Sequence, residues 1–216
     1  MKFVFEQHQM FNDIREAVHA SDFDCRDKLV KGLEPDYDVK MTERYRRGYM
    51  CVKWAIAKVR DPGRILEIGV GSGISALAFL TACPNASYLG IDNCQMERER
   101  GVGSLMDRAR ELLAPFRDTS VIIDDSQKLA QLYGGPYDMI HVDGDHRRHA
   151  ACHDVSIAWY ALSPSGILVV DDARDSSVAA GTFDAIQTIA PGSLDWAYLE
   201  DSWTGSIIIR REKTRP

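Results

Sequence analysis

Short apolar runs alternate with helical patterns from residue 64 onward. The apolar runs are RILEIG (64–69), SYLGID (87–92), TSVIID (119–124), YDMIHVD (137–143) and GILVVDD (166–172). Helical patterns lie between them, at roughly 73–82, 98–114, 126–132 and 146–162. Nearly continuous apolar runs are typical of parallel strands that are buried on both faces. Strands that alternate with helices indicate βαβ units, so we predict an α/β fold with a parallel sheet.

The two ends of the chain differ from this pattern. After a helical pattern near 180–190, the runs LDWAYLE (194–200) and GSIIIRR (205–211) are separated by only about four residues. That connection is too short for a parallel crossover, so these runs should pair antiparallel. The first 60 or so residues predict helices around a polar loop. We therefore divide the chain into an N-terminal helical cap, 1–61, and a main domain, 62–216.

Composition excludes several classes of protein. The chain has 216 residues, 45% of them hydrophobic and 27% charged, which suits a globular protein with a substantial core. A net charge of −6 argues against general affinity for nucleic acid or an anionic membrane. Five scattered cysteines without a CxxC pair disfavour a disulfide framework and a zinc knuckle. With no long apolar run and no signal-peptide core, we expect a cytoplasmic protein.

A glycine-rich turn follows the first apolar run. In LEIGVGSGIS (66–75), the pattern GxGxG lets the backbone turn sharply and lets a ligand approach closely. The dinucleotide pattern GxGxxG would require glycine where Ile74 stands. An acidic residue before GxGxG is typical of proteins that bind nucleoside-type methyl donors, although a tight turn without a ligand stays open. The residues assigned to cofactor binding here are Glu67, Gly69, Gly71, Ser72 and Gly73.

Polar residues at the ends of the next two runs extend this pocket. Asp92 lies about 20 residues beyond the loop, where a carboxylate can accept both ribose hydroxyls of a nucleoside. Asn93 is assigned to the same pocket. Asp125 and Ser126 end the third run and could bond the adenine edge. Capping of the following helix is the alternative for Asp92 and for the pair Asp125 and Ser126.

Three aspartates follow the fourth and fifth runs, which should be neighbouring strands. Asp143 ends one run, and Asp171 and Asp172 end the other. Ligands bind beyond the carboxyl ends of strands in open α/β sheets, where three carboxylates would repel one another. A hard divalent cation such as Mg²⁺ relieves that repulsion. Local capping and loop ordering by these aspartates are the alternative.

Together these segments resemble class I S-adenosylmethionine-dependent methyltransferases. More narrowly, ILEIGVGSGIS, YLGID and YDMIHVDGDH…GILVVDD resemble the metal-dependent O-methyltransferases of small molecules, of the catechol and caffeoyl-CoA type and their macrolide-sugar and cephamycin-pathway relatives. The resemblance covers about residues 62–211. It implies a Rossmann-like sheet of seven strands in the order 3-2-1-4-5-7-6 with the seventh strand antiparallel. It also implies S-adenosyl-L-methionine, with Mg²⁺ on Asp143, Asp171 and Asp172.

His146 is our candidate for the catalytic base. A hydroxyl that attacks the sulfonium methyl must lose its proton, and imidazole has a suitable ordinary pKa. In the related enzymes, the position three after the metal aspartate carries the base, a lysine or a histidine. His146 stands three after Asp143, which we also count among the cofactor contacts.

The other histidines receive different predictions. His146, His149 and His153 would share one face of a helix and could bind Zn²⁺. We disfavour that site because a helix that begins near 146 carries His153 two turns from the sheet edge. His141 lies inside a strand and should be a buried residue with its hydrogen bonds satisfied. Asp145 could cap the helix that follows it.

Three further segments could line the pocket for the substrate that accepts the methyl group. MTERYRRGYMCVKWAIAKVR (41–60) predicts a core-packed helix with solvated charges, among them Lys53. Alternatively, Tyr45, Arg46 or Tyr49 lines the substrate pocket. Trp203 could form another wall. The segment ARDSSVAAG (173–181) predicts a mobile lid or substrate loop.

The sequence thus predicts an O-methyltransferase that acts on a small-molecule hydroxyl with S-adenosyl-L-methionine and a divalent cation. The acceptor class would be a natural product, a sugar or a catechol-like diol. A metal-independent N- or O-methyltransferase is the alternative. A nicotinamide oxidoreductase is disfavoured by Ile74, and a non-catalytic nucleoside-binding protein is a third class. The N-terminal helices could form a homodimer.

Overall fold

Seven strands form one sheet in the computed structural model, which describes residues 9–20, 43–100, 104–189, 194–200 and 204–211. The strands are β1 Arg64–Ile68, β2 Ser87–Asp92, β3 Thr119–Ile123, β4 Tyr137–Val142, β5 Leu162–Val170, β6 Asp195–Leu199 and β7 Ser206–Arg210. They are arranged in the order β3-β2-β1-β4-β5-β7-β6. Strands β1 to β5 pair in parallel, whereas β7 runs antiparallel to β5 and β6. The predicted topology is confirmed.

Helices cover both faces of this sheet. They are α1 Gln9–Ala20, α2 Glu43–Arg60, α3 Ile74–Ala82, α4 Gln95–Arg100, α5 Leu105–Leu113, α6 Arg148–Ala161 and α7 Ser176–Ile189. The helical pattern near 98–114 belongs to two helices, α4 and α5. The pattern near 126–132 forms only a short 3₁₀ turn, Ser126–Lys128. Among the described helices, none is both long enough and apolar enough to cross a membrane.

The alternation of side chains along the strands separates the core into two layers. In β1, Ile65 belongs to the apolar cluster formed with α1, α2 and α3. Leu66 and Ile68 belong to the opposite cluster, formed with α6 and α7. Successive strand residues point to opposite faces, so each central strand contributes to both layers. This is why the strand sequences are apolar almost throughout.

The same alternation brings polar residues together under α2. Glu67 of β1 and His141 of β4 face the same way as Ile65 and are fully buried. α2 covers them with a face that includes Tyr49, Lys53 and Ile56, all three buried. A layer that the sequence pattern predicts to be apolar therefore contains a group of charged side chains.

Candidate active site

Backbone hydrogen bonds extend the parallel ladder beyond the ends of the central strands. The Asp143 N–H donates to Ile68 O at 2.8 Å, and the Asp171 N–H donates to Val142 O at 2.9 Å. These bonds fix the residues that follow β4 and β5 at the same edge of the sheet. The three predicted aspartates are thus brought to one edge, as the sequence indicated.

The glycine loop lies at that edge, directly after β1. Gly69 has φ 86°, and a Cβ atom there would clash with the carbonyl oxygen of Asp143. Gly71 has φ 51°, but a Cβ atom there would meet nothing within 4 Å. Gly69 is therefore required by the packing of the loop against the segment after β4. Gly71 leaves an open surface on which a ligand could lie.

Asp92 joins the end of β2 to this loop. Its Oδ2 accepts the N–H of Gly71 at 2.8 Å, and its Oδ1 accepts the N–H of Cys94 at 2.7 Å. Each carboxylate oxygen has a second lone pair that these bonds do not use. The side chain is only partly buried, so it can accept hydrogen bonds from a ligand over the loop.

The 3₁₀ turn after β3 is held from two sides. Asp125 caps it by accepting the N–H of Gln127 at 3.2 Å, and it pairs with Lys128 at 3.1 Å. On the other side, His153 of α6 donates through Nε2 to Ser126 O at 3.0 Å. The capping role considered for Asp125 is thus observed.

Glu67 does not lie on the open side of the loop, contrary to the sequence assignment. Its side chain is fully buried and accepts hydrogen bonds from Ser75 and Tyr88. Oε1 also lies 2.7 Å from Nδ1 of His141. The cause is strand alternation, which points residue 67 into the layer under α2. Glu67 therefore joins the strands that carry the candidate site, and its contact with the cofactor stays a prediction.

The buried carboxylate of Asp171 already has an ion pair and hydrogen bonds with other side chains of the protein. It is 2% exposed, and its Oδ1 lies 2.8 Å from the Nζ atom of Lys53, which is 0% exposed. Thr204 and Ser206 donate to the same oxygen at 3.0 Å and 3.3 Å. Burial opposes ionisation of Asp171, but Lys53 and His141 outweigh it and hold its pKa well below the ordinary value.

Lys53 is the main residue at this edge of the sheet that the sequence reasoning missed. The expectation of a solvated charge is wrong for this side chain. Its position was nevertheless readable, because Lys53 follows Tyr49 by four residues and shares its helix face. A lysine on the stripe that packs against the sheet needs a buried acid, and Asp171 is that acid.

Tyr49 brings α2 to the same carboxylates. Its hydroxyl donates to Asp171 Oδ2 at 2.7 Å and lies 3.3 Å from Asp143 Oδ2. Burial first, and then the charges of Asp171 and Asp143, raise its pKa well above the ordinary value. Tyr49 therefore stays protonated and acts as a donor. The side chains of Tyr45 and Arg46, and the whole of Trp203, lie outside the described residues.

His146 and Asp172 form a pair at the open side of the edge. The His146 Nε2 atom lies 2.8 Å from Asp172 Oδ2, and the His146 side chain is 52% exposed. The hydrogen bond that His146 donates to Asp172 raises the pKa of His146, against the opposing effect of burial. Because Nε2 donates to this carboxylate, Nδ1 is the nitrogen that can accept a proton in the neutral ring.

The structure divides the acidic residues into two possible metal sets. Within the described residues, His141, Asp143 and Asp171 form one group with ligand atoms within 4.8 Å, and Asp143, His146 and Asp172 form another. Burial, Asp171 and Asp172 together raise the pKa of Asp143 well above its ordinary value. A cation would relieve that repulsion. Asp143 and Asp172 have the oxygen donors that Mg²⁺ prefers, whereas Asp171 already has an ammonium partner.

Among the described residues, His153 does not join His146 and His149 in a group that could hold a metal ion. His153 bonds the carbonyl oxygens of Ser126 and Leu129 at 3.0 Å and 3.1 Å, on the side of α6 that faces the 3₁₀ turn. His141 is buried as predicted, but only one ring nitrogen has a hydrogen bond. Its Nε2 lies 3.6 Å from Asp171 and makes no hydrogen bond within the part of the chain described.

The segment 173–181, which the sequence predicts as a mobile lid or substrate loop, is a short turn followed by the first residues of α7. The N–H groups of Ala173 and Arg174 donate to Gly205 O and Thr204 O, at 3.0 Å and 2.9 Å. α7 begins at Ser176, and Asp175 caps it by accepting the N–H of Ser177 at 2.7 Å. Its glycine allows close packing of the two helices, because Gly181 lies against the backbone of α6.

The chain also matches a known family. The model of the Methyltransferase domain family matches residues 66–173, from β1 to the segment after Asp172. The chain belongs to this family. It is therefore a methyltransferase, and the expected resemblance to the class I S-adenosylmethionine-dependent methyltransferases is confirmed.

Solved structures agree with this fold over almost the whole methyltransferase. The SAH-bound methyltransferase PaMTH1 of Podospora anserina has a TM-score of 0.65 and 19% identity, over 98% of this chain and 99% of that chain. The O-methyltransferase TomG of Streptomyces achromogenes, involved in tomaymycin synthesis and solved with SAM, has a TM-score of 0.61 and 18% identity, over 97% and 100%. An O-methyltransferase of Bacillus cereus in complex with SAH has a TM-score of 0.58 and 15% identity, over 97% and 93%.

Proposed function

We propose that this methyltransferase transfers a methyl group from S-adenosyl-L-methionine to a hydroxyl oxygen of a small molecule. The observation that carries the proposal is the position of His146 beside Asp172 and near Asp143, at the sheet edge where the glycine loop ends. Two structural neighbours are O-methyltransferases that were solved with SAM or SAH, which supports the same cofactor and the same acceptor atom.

The cofactor would lie over the glycine loop. Gly71 leaves room for it, and Asp92 offers free lone pairs to the ribose hydroxyls. Ser126, in the 3₁₀ turn, would contact the adenine, with Asp125 as the cap of that turn. Ser72, Gly73 and Asn93 would also contact the cofactor, as the sequence predicts.

The transfer is a displacement at the methyl carbon. The bond between sulfur and methyl breaks as the bond from the acceptor oxygen to methyl forms, and S-adenosylhomocysteine leaves with the electron pair. His146 takes the hydroxyl proton on Nδ1, because Asp172 holds Nε2. The Asp172 carboxylate then stabilises the imidazolium, as an acid partner does for histidine in other catalytic pairs.

We propose a metal site with two of the three aspartate ligands that the sequence predicts. Asp143 and Asp172 would hold a divalent cation. Asp171 would not be a ligand, and it would support the site from the buried side through its contacts with Tyr49 and Lys53. Such an ion lowers the pKa of a coordinated hydroxyl and fixes its orientation. An acceptor with two neighbouring oxygens, as in a catechol or a sugar diol, would suit this arrangement.

The test is methyl transfer by the purified protein from radiolabelled S-adenosyl-L-methionine to a panel of catechols, sugar diols and amines. We expect label in hydroxyl acceptors and a loss of rate in EDTA that Mg²⁺ restores. Label only in amines would contradict O-methylation, and full rate in EDTA would support the metal-independent alternative.

The His146→Gln variant tests the base. Glutamine keeps polarity and approximate size but cannot take a proton, so kcat should fall by roughly 10²- to 10⁴-fold. Cofactor affinity, measured by calorimetry with S-adenosylhomocysteine, should stay within about threefold, because a general base contributes to the rate rather than to binding. His149→Gln is the matched control on the exposed start of α6, and it should leave kcat unchanged.

A further inference from the structure

Lys53 is a fully buried cation at the back of the active site. Its ammonium lies 2.8 Å from Asp171 Oδ1 and donates to Ser206 Oγ at 2.8 Å. The same group lies 4.7 Å from the centre of the Tyr49 ring. The ammonium thus has an acid, a hydroxyl and an aromatic face around it, and the lysine is held in a prepared site.

Both carboxylate oxygens of Asp171 already accept hydrogen bonds from neighbouring side chains. Lys53, Thr204 and Ser206 all approach Oδ1, and Tyr49 donates to Oδ2. A divalent cation could coordinate this carboxylate only by replacing donors that the fold supplies. Within the described residues, Lys53 forms its ion pair with Asp171, whereas Asp143 and Asp172 are contacted by Tyr49 and His146.

We propose that Lys53 is a resident cation that keeps Asp171 out of metal coordination and thereby lowers the affinity of the site for a free divalent ion. The proposal rests on the proposed function only in taking Asp143 and Asp172 as the ligands of that ion. Lys53 is then a positioning residue, because it acts on the metal site through Asp171.

Two physical effects act in the same direction. Affinity for a hard divalent cation rises with the number of carboxylate ligands, and Lys53 removes one of three. The ammonium also repels a second cation across a buried environment, where charges are weakly screened. A purely structural lysine would stabilise the fold without these effects, and the two roles can therefore be separated by measuring ion binding.

The experiment measures Mn²⁺ binding to cofactor-free protein by electron paramagnetic resonance. Lys53→Met keeps the length of the side chain but removes its charge. We expect Mn²⁺ to bind roughly tenfold more tightly, or better, because the ion gains a carboxylate and loses a repelling charge. Unchanged or weaker binding overturns the proposal.

Lys58→Met is the matched control. Lys58 lies in the same helix and is exposed, and its substitution changes the net charge equally. Because exposed charges are screened by salt, Mn²⁺ affinity should stay within about twofold of wild type at physiological ionic strength. A gain equal to that of Lys53→Met would mean that net charge alone is responsible, which also overturns the proposal.

A double variant covers the case in which the Lys53→Met protein does not fold because Asp171 is left as a buried charge without its ammonium partner. Lys53→Met with Asp171→Asn removes both buried charges together, so neither charge is left buried without its partner. If Asp171 is not a ligand in the wild type, the double variant should bind Mn²⁺ within about threefold of wild type, since the charges removed cancel. Weakening of roughly tenfold or more would show that Asp171 coordinates the ion, and would overturn the proposal.

The outcome is independent of the methyl acceptor. If wild type transfers no methyl group but the Mn²⁺ affinities behave as described, the proposed function fails and the role of Lys53 stands. If methyl transfer is found but none of the variants binds Mn²⁺, the role of Lys53 fails and the proposed function survives in its metal-independent form.

Discussion

At the scale of single residues, Asp172 has a backbone that aspartate rarely adopts. Its φ of 53° lies in the left-handed region, which asparagine and aspartate tolerate better than other side chains. The N–H of Asp175 donates to Asp172 O at 2.8 Å and helps to hold this turn. The conformation separates Asp172 from its buried neighbour Asp171 and brings it to His146. Strained residues of this kind cluster at functional sites.

The pairing of Asp172 with His146 gives a prediction about protonation. In the metal-free protein, the pKa of His146 should lie above its ordinary value, because the carboxylate stabilises the imidazolium. Asp172→Asn should lower that pKa, since the amide carries no charge. The measurement is an NMR titration of the ring protons.

The direction of the change decides this test. Mg²⁺ bound at Asp172 should also lower the pKa of His146 in the wild type. An unchanged pKa in Asp172→Asn would show that the two side chains do not interact in solution.

At the scale of elements, the glycine loop combines two glycines with different roles. Gly69→Ala should destabilise the protein by about 3 kcal/mol, because the new methyl group meets the backbone of Asp143. Gly71→Ala should cost only about 1 kcal/mol, the price of a left-handed alanine. Its methyl group should instead occupy the space of the cofactor, so that affinity for S-adenosylhomocysteine falls.

Denaturant unfolding and calorimetry distinguish these two glycines. If Gly71→Ala binds S-adenosylhomocysteine as tightly as the wild type, the cofactor does not lie over this part of the loop. Equal destabilisation by both variants would contradict the packing of Gly69 on Asp143.

A second element-scale feature is the contact of α6 with the 3₁₀ turn. Asp154 of α6 is buried, and its Oδ1 accepts the side-chain amide of Gln127 at 2.8 Å. Burial raises the pKa of Asp154 to about 6, although hydrogen bonds from Ser126 and Gln127 favour the charged form. The turn is thereby fixed to α6 by a carboxyl group whose pKa is raised to about 6.

The raised pKa of Asp154 predicts a pH dependence of stability. The folded state holds this proton up to about pH 6, whereas the unfolded chain releases it near pH 4. The unfolding free energy contributed by Asp154 should therefore fall as pH rises from about 4 to about 6, by up to about 3 kcal/mol, and stay level above that.

The control is a variant in which an amide replaces the Asp154 carboxyl group. Asp154→Asn has no proton to release, so the difference in unfolding free energy between wild type and variant should change across this range. We expect denaturant unfolding at several pH values to show that difference. A difference independent of pH would mean that Asp154 titrates normally.

At the scale of the whole molecule, the N-terminal helices are part of the main core. Ile14 of α1 and Met50 and Ile56 of α2 are buried in the cluster that covers one face of the sheet. α2 also supplies Tyr49 and Lys53 to the edge where the aspartates meet. The division at residues 61 and 62 stays a prediction, and this packing bears directly on it.

Expression of residues 62–216 alone tests that boundary. The fragment would expose the apolar face under α2 and leave Asp171 without its buried partner. We expect it to lack a cooperative thermal transition by circular dichroism, while the full chain shows one. A cooperative transition in the fragment would establish the main domain as an independent folding unit.

The sequence by itself determined the strands and the edge at which the candidate site lies, and the strand order followed from its resemblance to the class I methyltransferases. Apolar runs, glycine spacing and aspartates after strands are local features, and the parallel fold converts them into positions by a general rule. Only the tertiary structure decided how the acidic residues divide. Strand alternation turned Glu67 into the core, and the packing of α2 placed Lys53 on Asp171. The pairing of Lys53 with Asp171 joins residues more than 100 positions apart, so the local pattern can show that Lys53 faces the sheet but not which acid it meets.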